Sequence, residues 1–246
     1  MKWSSRFHKS TVFNITVSGV FLALSLIFFV LSHQKFFTWP VVSSIGLKVD
    51  LSTLFILPIF VIANTLCGVA VLVIRFVLGP FIVPSASLDI DYFGNFILLF
   101  SSAIFIFLFL LLNKFIFKNE GKQSISTESQ CSNSKKKLYK NLFLNLLCST
   151  IVTSLLLTIL NALFFTPVFF KLYKLTNNIS PIDLAKKWNT DKVLKTFSLS
   201  LNYFLWAFVL YFPFNLVNFT VTSILFFGMY TVIVKNHSKL KKNFKY

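Results

Sequence analysis

Residues 47–84 read "LKVDLSTLFILPIFVIANTLCGVAVLVIRFVLGPFIVP", an apolar run that is interrupted by prolines and a few polar side chains. One membrane crossing takes about 20 residues to cover a hydrocarbon core of about 30 Å. At about 1.5 Å per residue, a helix over residues 49–84 would be about 54 Å long, nearly twice that thickness. The run therefore predicts two short helices that meet between Ala63 and Gly68.

The rest of the chain has the same apolar character. Hydrophobic residues make up 56% of the 246 residues and the mean hydropathy is +0.76, which exceeds what the polar surface of a soluble domain of this size could cover. The apolar runs are continuous rather than alternating, which is typical of helices. We therefore predict an all-α integral membrane protein, with six transmembrane helices in one domain over residues 1–246. The predicted spans are 11–32, 50–63, 66–81, 92–117, 142–170 and 203–234.

Two polar or terminal segments complete this organisation. Residues 11–31 follow a basic start, but they are longer than the apolar part of a typical signal peptide. We expect them to remain as the first span. Residues 119–137 are polar and of low complexity, and they are predicted to form a flexible cytoplasmic loop.

Lysine and arginine are distributed unequally between the two sides that six spans would create. One side, with both termini and the 119–137 loop, carries 15 of them, and the other side carries 8. The positive-inside rule then predicts a multi-pass cell-membrane protein with both termini cytoplasmic. The net charge of +17 is explained mainly by the lysines and arginines on the terminal side, which would attract anionic lipid. Nucleic-acid binding is not expected, because no base-stacking platform or groove-binding motif accompanies the charge.

The sequence offers little material for catalysis. The three histidines, His8, His33 and His237, lie at span ends or near the termini. The three cysteines are scattered without metal-binding spacing, and no phosphate-binding glycine loop is present. We therefore predict that the chain is not an enzyme and holds no cofactor or metal.

Polar residues inside the apolar spans are the strongest functional signal, because such residues are costly in lipid and usually face a cavity or a partner. Asp91 and Asn95 share one helix face at i and i+4. Four predicted spans bring polar groups toward one external depth, which predicts a small-molecule pocket open to the outside. The candidate substrate-binding residues are Asp91, Asn95, Asn161, Asn218 and Arg75, with Asn215 close by.

Each of these candidates also has a purely structural interpretation. Arg75 could extend toward the membrane interface, and any one asparagine could hydrogen-bond a neighbouring helix. The sequence "PFN" at 213–215 could mark a helix kink. These alternatives stay open at the level of sequence.

Five features occur in a characteristic order along the chain: "LKVDLSTLFILP", the Gly68 turn that leads to Arg75, "DYFGNF" at 91–96, "LTILNALFFTPVFF" at 157–170 and "FPFNLVNFTVTSILFFGMY" at 212–230. Taken together, they resemble the substrate-binding S components of energy-coupling factor (ECF) vitamin transporters, closest to the riboflavin-type members. The resemblance covers most of residues 11–235.

The resemblance implies a six-helix protein that captures a vitamin at its outer face. It also implies two kinds of partner: a transmembrane T component and two cytoplasmic ATPases. The family's pocket residues match Asp91, Asn95 and Asn161, but aspartate replaces the family's glutamate and Asn218 stands where the family has lysine. The resemblance makes riboflavin the expected ligand, and these two departures from the family pattern keep other ring-bearing vitamins open.

A small-residue motif, Gly19-x-x-x-Ala23, lies in the first predicted span. Such motifs allow close helix approach, and the resemblance implies contact with the T component. Internal packing is the alternative. At the level of function, the alternative is a self-sufficient secondary transporter, for which the break at 63–68 is a partial signature. A membrane enzyme is the third and weakest class.

Overall fold

The structure is a computed structural model that describes residues 11–37, 47–84, 87–117, 128–190, 194 and 201–243. It is almost entirely helical, which confirms the all-α membrane fold. A short 3₁₀ turn over Lys35–Phe37 follows the first helix, and a π-helical turn over Asn161–Phe165 joins the fifth helix to the sixth. The helices are α1 (Thr11–Ser32), α2 (Thr53–Ile62), α3 (Thr65–Ile82), α4 (Leu88–Phe117), α5 (Glu128–Leu160), α6 (Thr166–Leu172), α7 (Pro181–Lys187) and α8 (Tyr203–Asn243).

Among the described residues, five helical segments are long and apolar enough to cross a membrane. They correspond to five of the six predicted spans. They are α1, α3, α4, the continuous helix from Lys137 through α5 and α6 to Leu172, and α8 as far as Val232.

The remaining predicted span, residues 50–63, forms a shorter helix than predicted. Its helix, α2, has only 10 residues, or about 15 Å. The chain before it is not helical, because the Asp50 carboxylate accepts the backbone N–H of Ser52 at 2.9 Å and closes a turn. α2 packs against α1, α3 and α8, and Ile56, Leu57 and Ile59 are fully buried. Its apolar composition therefore serves the bundle core rather than contact with lipid.

The break between α2 and α3 falls where the sequence places it, at Ala63 and Asn64. The Asn64 side chain accepts the backbone N–H of Leu66 at 3.2 Å and caps α3. A Cβ atom added to Gly68 would overlap the ring of Phe60. Glycine at this position thus allows α2 and α3 to pack closely as an antiparallel pair.

The structure also differs from the prediction of a flexible loop at residues 119–137. Residues 118–127 lie outside the described part, and α5 already begins at Glu128. The second half of the predicted loop is therefore an extension of a membrane helix.

Polar side chains connect the helices inside the bundle. The hydroxyl oxygens of Thr53 on α2 and Ser102 on α4 lie 2.7 Å apart and share a hydrogen bond. The hydroxyl oxygens of Thr150 on α5 and Ser223 on α8 lie 2.8 Å apart and share another hydrogen bond. Hydrogen bonds of this kind hold membrane helices together where lipid provides no hydrophobic driving force between them.

A second buried cluster lies where α6, α7 and the start of α8 meet, and we call it the aromatic cap. Trp188 stacks on Phe170 with ring centroids 6.0 Å apart, and it also contacts Tyr203 and Trp206. All four residues are buried. The cap covers the same end of the bundle as the candidate site.

Candidate functional site

A cavity of about 390 Å³ opens at the end of the bundle where α1 and α3 end and α4 begins. Its walls combine polar, aliphatic and aromatic side chains, and the aromatic ones include Phe165, Phe169, Phe214 and Phe219. Four of the five predicted substrate-binding residues line it: Asp91, Asn95, Asn161 and Asn218. Asn215 lines it too. The structure thus brings side chains from α4, the π turn and α8 into one space.

Asp91 and Asn95 lie on one face of the first turns of α4, and both are buried. The Asn95 amide nitrogen donates to the Asp91 backbone carbonyl oxygen at 2.9 Å, and its amide oxygen faces α3. The Asn95 side chain lies against Gly79 of α3, where an added Cβ would overlap it. Gly79 is therefore the residue that gives Asn95 its space.

Asn161 begins the π turn and is oriented by the preceding helix. Its amide nitrogen donates to the carbonyl oxygen of Leu157 at 2.8 Å. The amide oxygen of Asn161 is thus an acceptor available at the cavity wall.

The two asparagines of α8 present the opposite polarity. The Asn218 amide oxygen accepts the backbone N–H of Asp50 at 3.0 Å, which leaves its NH₂ group for another acceptor. The Asn215 amide nitrogen is buried and has no hydrogen-bond partner in the described part of the chain. A buried donor without a partner is costly, and a ligand acceptor in the cavity would satisfy it.

The cavity therefore has a polarity. The acceptor oxygen of Asn161 lies on the π-turn side, and the donor groups of Asn215 and Asn218 lie on the α8 side. A ligand that fits would offer N–H or O–H groups to the first side and carbonyl or hydroxyl oxygens to the second. Amide side chains can make these contacts without charge.

Arg75, the fifth candidate, does not line the cavity. Its guanidinium is buried and donates from Nη2 to the Asp50 carboxylate. Nη1 lies 3.5 Å from the Ser102 hydroxyl, and the group lies over the Phe29 ring at 5.4 Å. Arg75 reaches the cavity only through Asp50, which does line it.

Sequence reasoning missed several residues of the cavity wall. Asp50 is the most important, and Ser32, His33 and Lys48 lie beside it. Asp50 is the only acid within the quoted run of 47–84, as Arg75 is its only arginine. The presence of a single acid and a single arginine in this apolar run was the one signal from which an ion pair between Asp50 and Arg75 could have been inferred.

His33 lies just beyond the end of α1 and is partly buried. Burial lowers the pKa of its imidazole below the ordinary value, an effect that nearby Lys48 reinforces and that the hydrogen bond to the Phe29 carbonyl oxygen opposes. The imidazole is therefore neutral at pH 7. With the Asp50 carboxylate paired to Arg75, this corner of the cavity carries little uncompensated charge besides Lys48.

The small-residue motif lies away from the cavity. Gly19 and Ala23 are both exposed on α1, and a Cβ added to Gly19 would meet nothing within 4 Å. The buried face of the same helix carries Ser18 and Ser25 instead. The motif is thus available to another helix from outside this chain.

No protein-family model, curated protein or solved structure matches this chain. The resemblance to ECF S components therefore stays a prediction from the sequence. Within the described residues, no group of three or more His, Cys, Asp or Glu side chains could hold a metal ion.

Proposed function

We propose that this chain is the substrate-capture S component of an ECF-type vitamin importer, and that it binds riboflavin or a similar flat vitamin in the cavity at the end of the bundle. The observation that carries the proposal is the convergence of Asp91, Asn95, Asn161 and Asn218 on one cavity, which phenylalanine side chains also line. Its volume lies within the range of small-molecule sites, which are concave, mostly apolar and provided with a few polar groups.

The chemistry of the wall supports a flat ligand with little charge. Phe165 and Phe169 on one side of the cavity and Phe214 and Phe219 of α8 on the other line it, and their rings offer aromatic surface to a ring system. The acceptor and donor sides suit a heterocycle that carries N–H and carbonyl groups on its edge. Riboflavin has such an edge on its isoalloxazine ring.

The proposed orientation places both termini in the cytoplasm and the cavity at the outer face of the cell membrane. Its support is the excess of lysine and arginine on the terminal side. The T component and the two ATPases are the proposed partners, and the exposed Gly19 and Ala23 are the proposed contact with the T component. The chain itself would bind the vitamin, and the partners would supply the energy.

The alternative, a secondary transporter, usually has its substrate site at discontinuous helices near the bilayer midplane. Here, the discontinuity lies at Ala63 and Asn64, and neither residue lines the cavity. Uptake into cells or vesicles with and without the ATPase partners separates the two classes. Uptake that proceeds without the partners would favour the secondary transporter.

The first prediction tests the ligand and the site together. Asn161→Ala should weaken riboflavin binding roughly 10- to 100-fold, because an unpaired buried polar group costs about 1–3 kcal/mol and about 1.4 kcal/mol corresponds to a factor of ten. The measurement is quenching of flavin fluorescence by the purified chain at equilibrium.

The matched control is Asn113→Ala. It also replaces an asparagine by alanine, but near the end of α4 that lies away from the cavity, and it should leave the affinity unchanged. A folded wild-type protein that gives no quenching at micromolar concentration would mean that riboflavin is the wrong ligand. Equal affinity in wild type and Asn161→Ala would remove Asn161 from the site.

A further inference from the structure

The π turn over Asn161–Phe165 supplies two cavity-lining residues, Asn161 and Phe165. The backbone N–H of Thr166 donates to the carbonyl oxygen of Asn161, five residues earlier. In a regular α-helix the same N–H would instead bond to Ala162, four residues earlier. The wider turn therefore leaves the Ala162 carbonyl oxygen without its ordinary partner.

Pro167 explains why the backbone cannot repair this loss. If the π pattern continued, the Ala162 carbonyl would accept the N–H of residue 167, but proline has none. Ala162 is buried, and an unpaired carbonyl in a dry environment is costly. A side chain must therefore supply the missing donor.

Tyr203, at the start of α8, supplies it. Its hydroxyl donates to the Ala162 carbonyl oxygen from 41 residues away in sequence. The phenol ring is buried in the aromatic cap against Trp188 and Trp206. A second bond from the same region supports the turn, because the Thr166 hydroxyl donates to the Tyr211 hydroxyl at 2.8 Å.

We propose that Tyr203 is a positioning residue for the binding site: by occupying the Ala162 carbonyl it keeps the turn in its π form and holds Asn161 and Phe165 at the cavity wall. Without the hydroxyl, the Thr166 N–H is drawn to Ala162, the turn tightens toward an α-helix, and Asn161 rotates away from its place. The proposal rests on the proposed function in assigning a ligand contact to Asn161.

The binding test is Tyr203→Phe in the full-length purified chain. It should raise the Kd for riboflavin roughly tenfold, the effect of losing one buried hydrogen bond. Tyr230→Phe, the same change near the far end of α8, is the control and should leave the Kd unchanged. In an Asn161→Ala background, Tyr203→Phe should change the Kd less than about threefold, because residues that are coupled through the same backbone turn are not additive. Fully additive effects, or a lowered melting temperature with an unchanged Kd, would overturn the proposal.

A second measurement needs no ligand. Asn161→Cys, in a chain whose Cys67, Cys131 and Cys148 are replaced by serine, reports the position of residue 161 through its rate of labelling by a membrane-impermeant maleimide. Tyr203→Phe should change that rate severalfold and Tyr230→Phe should not. If the wild-type chain binds no riboflavin, the proposed ligand fails while this measurement still decides the role of Tyr203.

Pro167→Ala provides a rescue. It restores a backbone N–H that can bond to Ala162, so Tyr203→Phe should have a smaller effect on labelling and binding in that background. The same rescue applies to folding if Tyr203→Phe alone does not fold. An unchanged labelling rate in Tyr203→Phe, or a defect that Pro167→Ala leaves at full size, would show that Tyr203 does not act through the turn.

Discussion

The buried pair of Asp50 and Arg75 allows a quantitative prediction. Arg75→Met keeps the length of the apolar stem but removes the guanidinium, and it leaves the Asp50 carboxylate without its cation. The two side chains are only 6% and 3% exposed, so water cannot replace the lost partner. Breaking a buried pair by removing one member costs about 3–5 kcal/mol.

This cost corresponds to a large change in melting temperature. With about 2–4 °C for each kcal/mol in a chain of this size, Arg75→Met should melt roughly 10 °C below wild type. The assay is thermal unfolding of the detergent-purified full chain without ligand. Lys48→Met, which removes a neighbouring cation that is only partly buried, is the control and should shift the melting temperature by about 2 °C or less.

The double variant Asp50→Asn with Arg75→Met identifies the cause. Asparagine keeps an oxygen that can accept the Ser52 N–H, and the double variant no longer contains a buried unpaired charge. Because neutral replacement of a buried pair is often tolerated, the double variant should melt above Arg75→Met. An Arg75→Met variant as stable as wild type, or a double variant less stable than Arg75→Met, would refute the assignment of Arg75 as the partner of Asp50.

Two glycine substitutions give the remaining predictions. Gly79→Ala should weaken riboflavin binding roughly tenfold, since the new methyl displaces the Asn95 side chain and costs it one hydrogen bond; Gly228→Ala, whose Cβ would meet nothing within 4 Å, should leave the fluorescence titration unchanged. Gly19→Leu should abolish co-purification with the T component while riboflavin binding by the isolated chain persists, because the added side chain extends outward from α1 without touching the bundle. Loss of binding in Gly19→Leu would instead make Gly19 an internal packing residue.

The positions of most helices could be predicted from the sequence because hydropathy and chain length act locally. The break at Ala63 and Asn64 follows from the thickness of a bilayer and the rise of a helix, whatever the rest of the fold. The common face of Asp91 and Asn95 follows from helical periodicity alone. The structure places both beside Asn161 in one cavity.

Tertiary structure decided the features that depend on residues far apart in the chain. Asp50 is 25 residues from Arg75 and 168 from Asn218, and no local pattern specifies either partner. The short, buried α2 likewise depends on the helices that surround it. The sequence alone determined that the chain crosses a membrane and where its polar residues interrupt the spans, since these depend on local composition. Packing decided which of those residues face the cavity and which only hold another residue in place, as Arg75 and Tyr203 do. The reason is that a buried polar group must pair with whatever partner the fold brings near it.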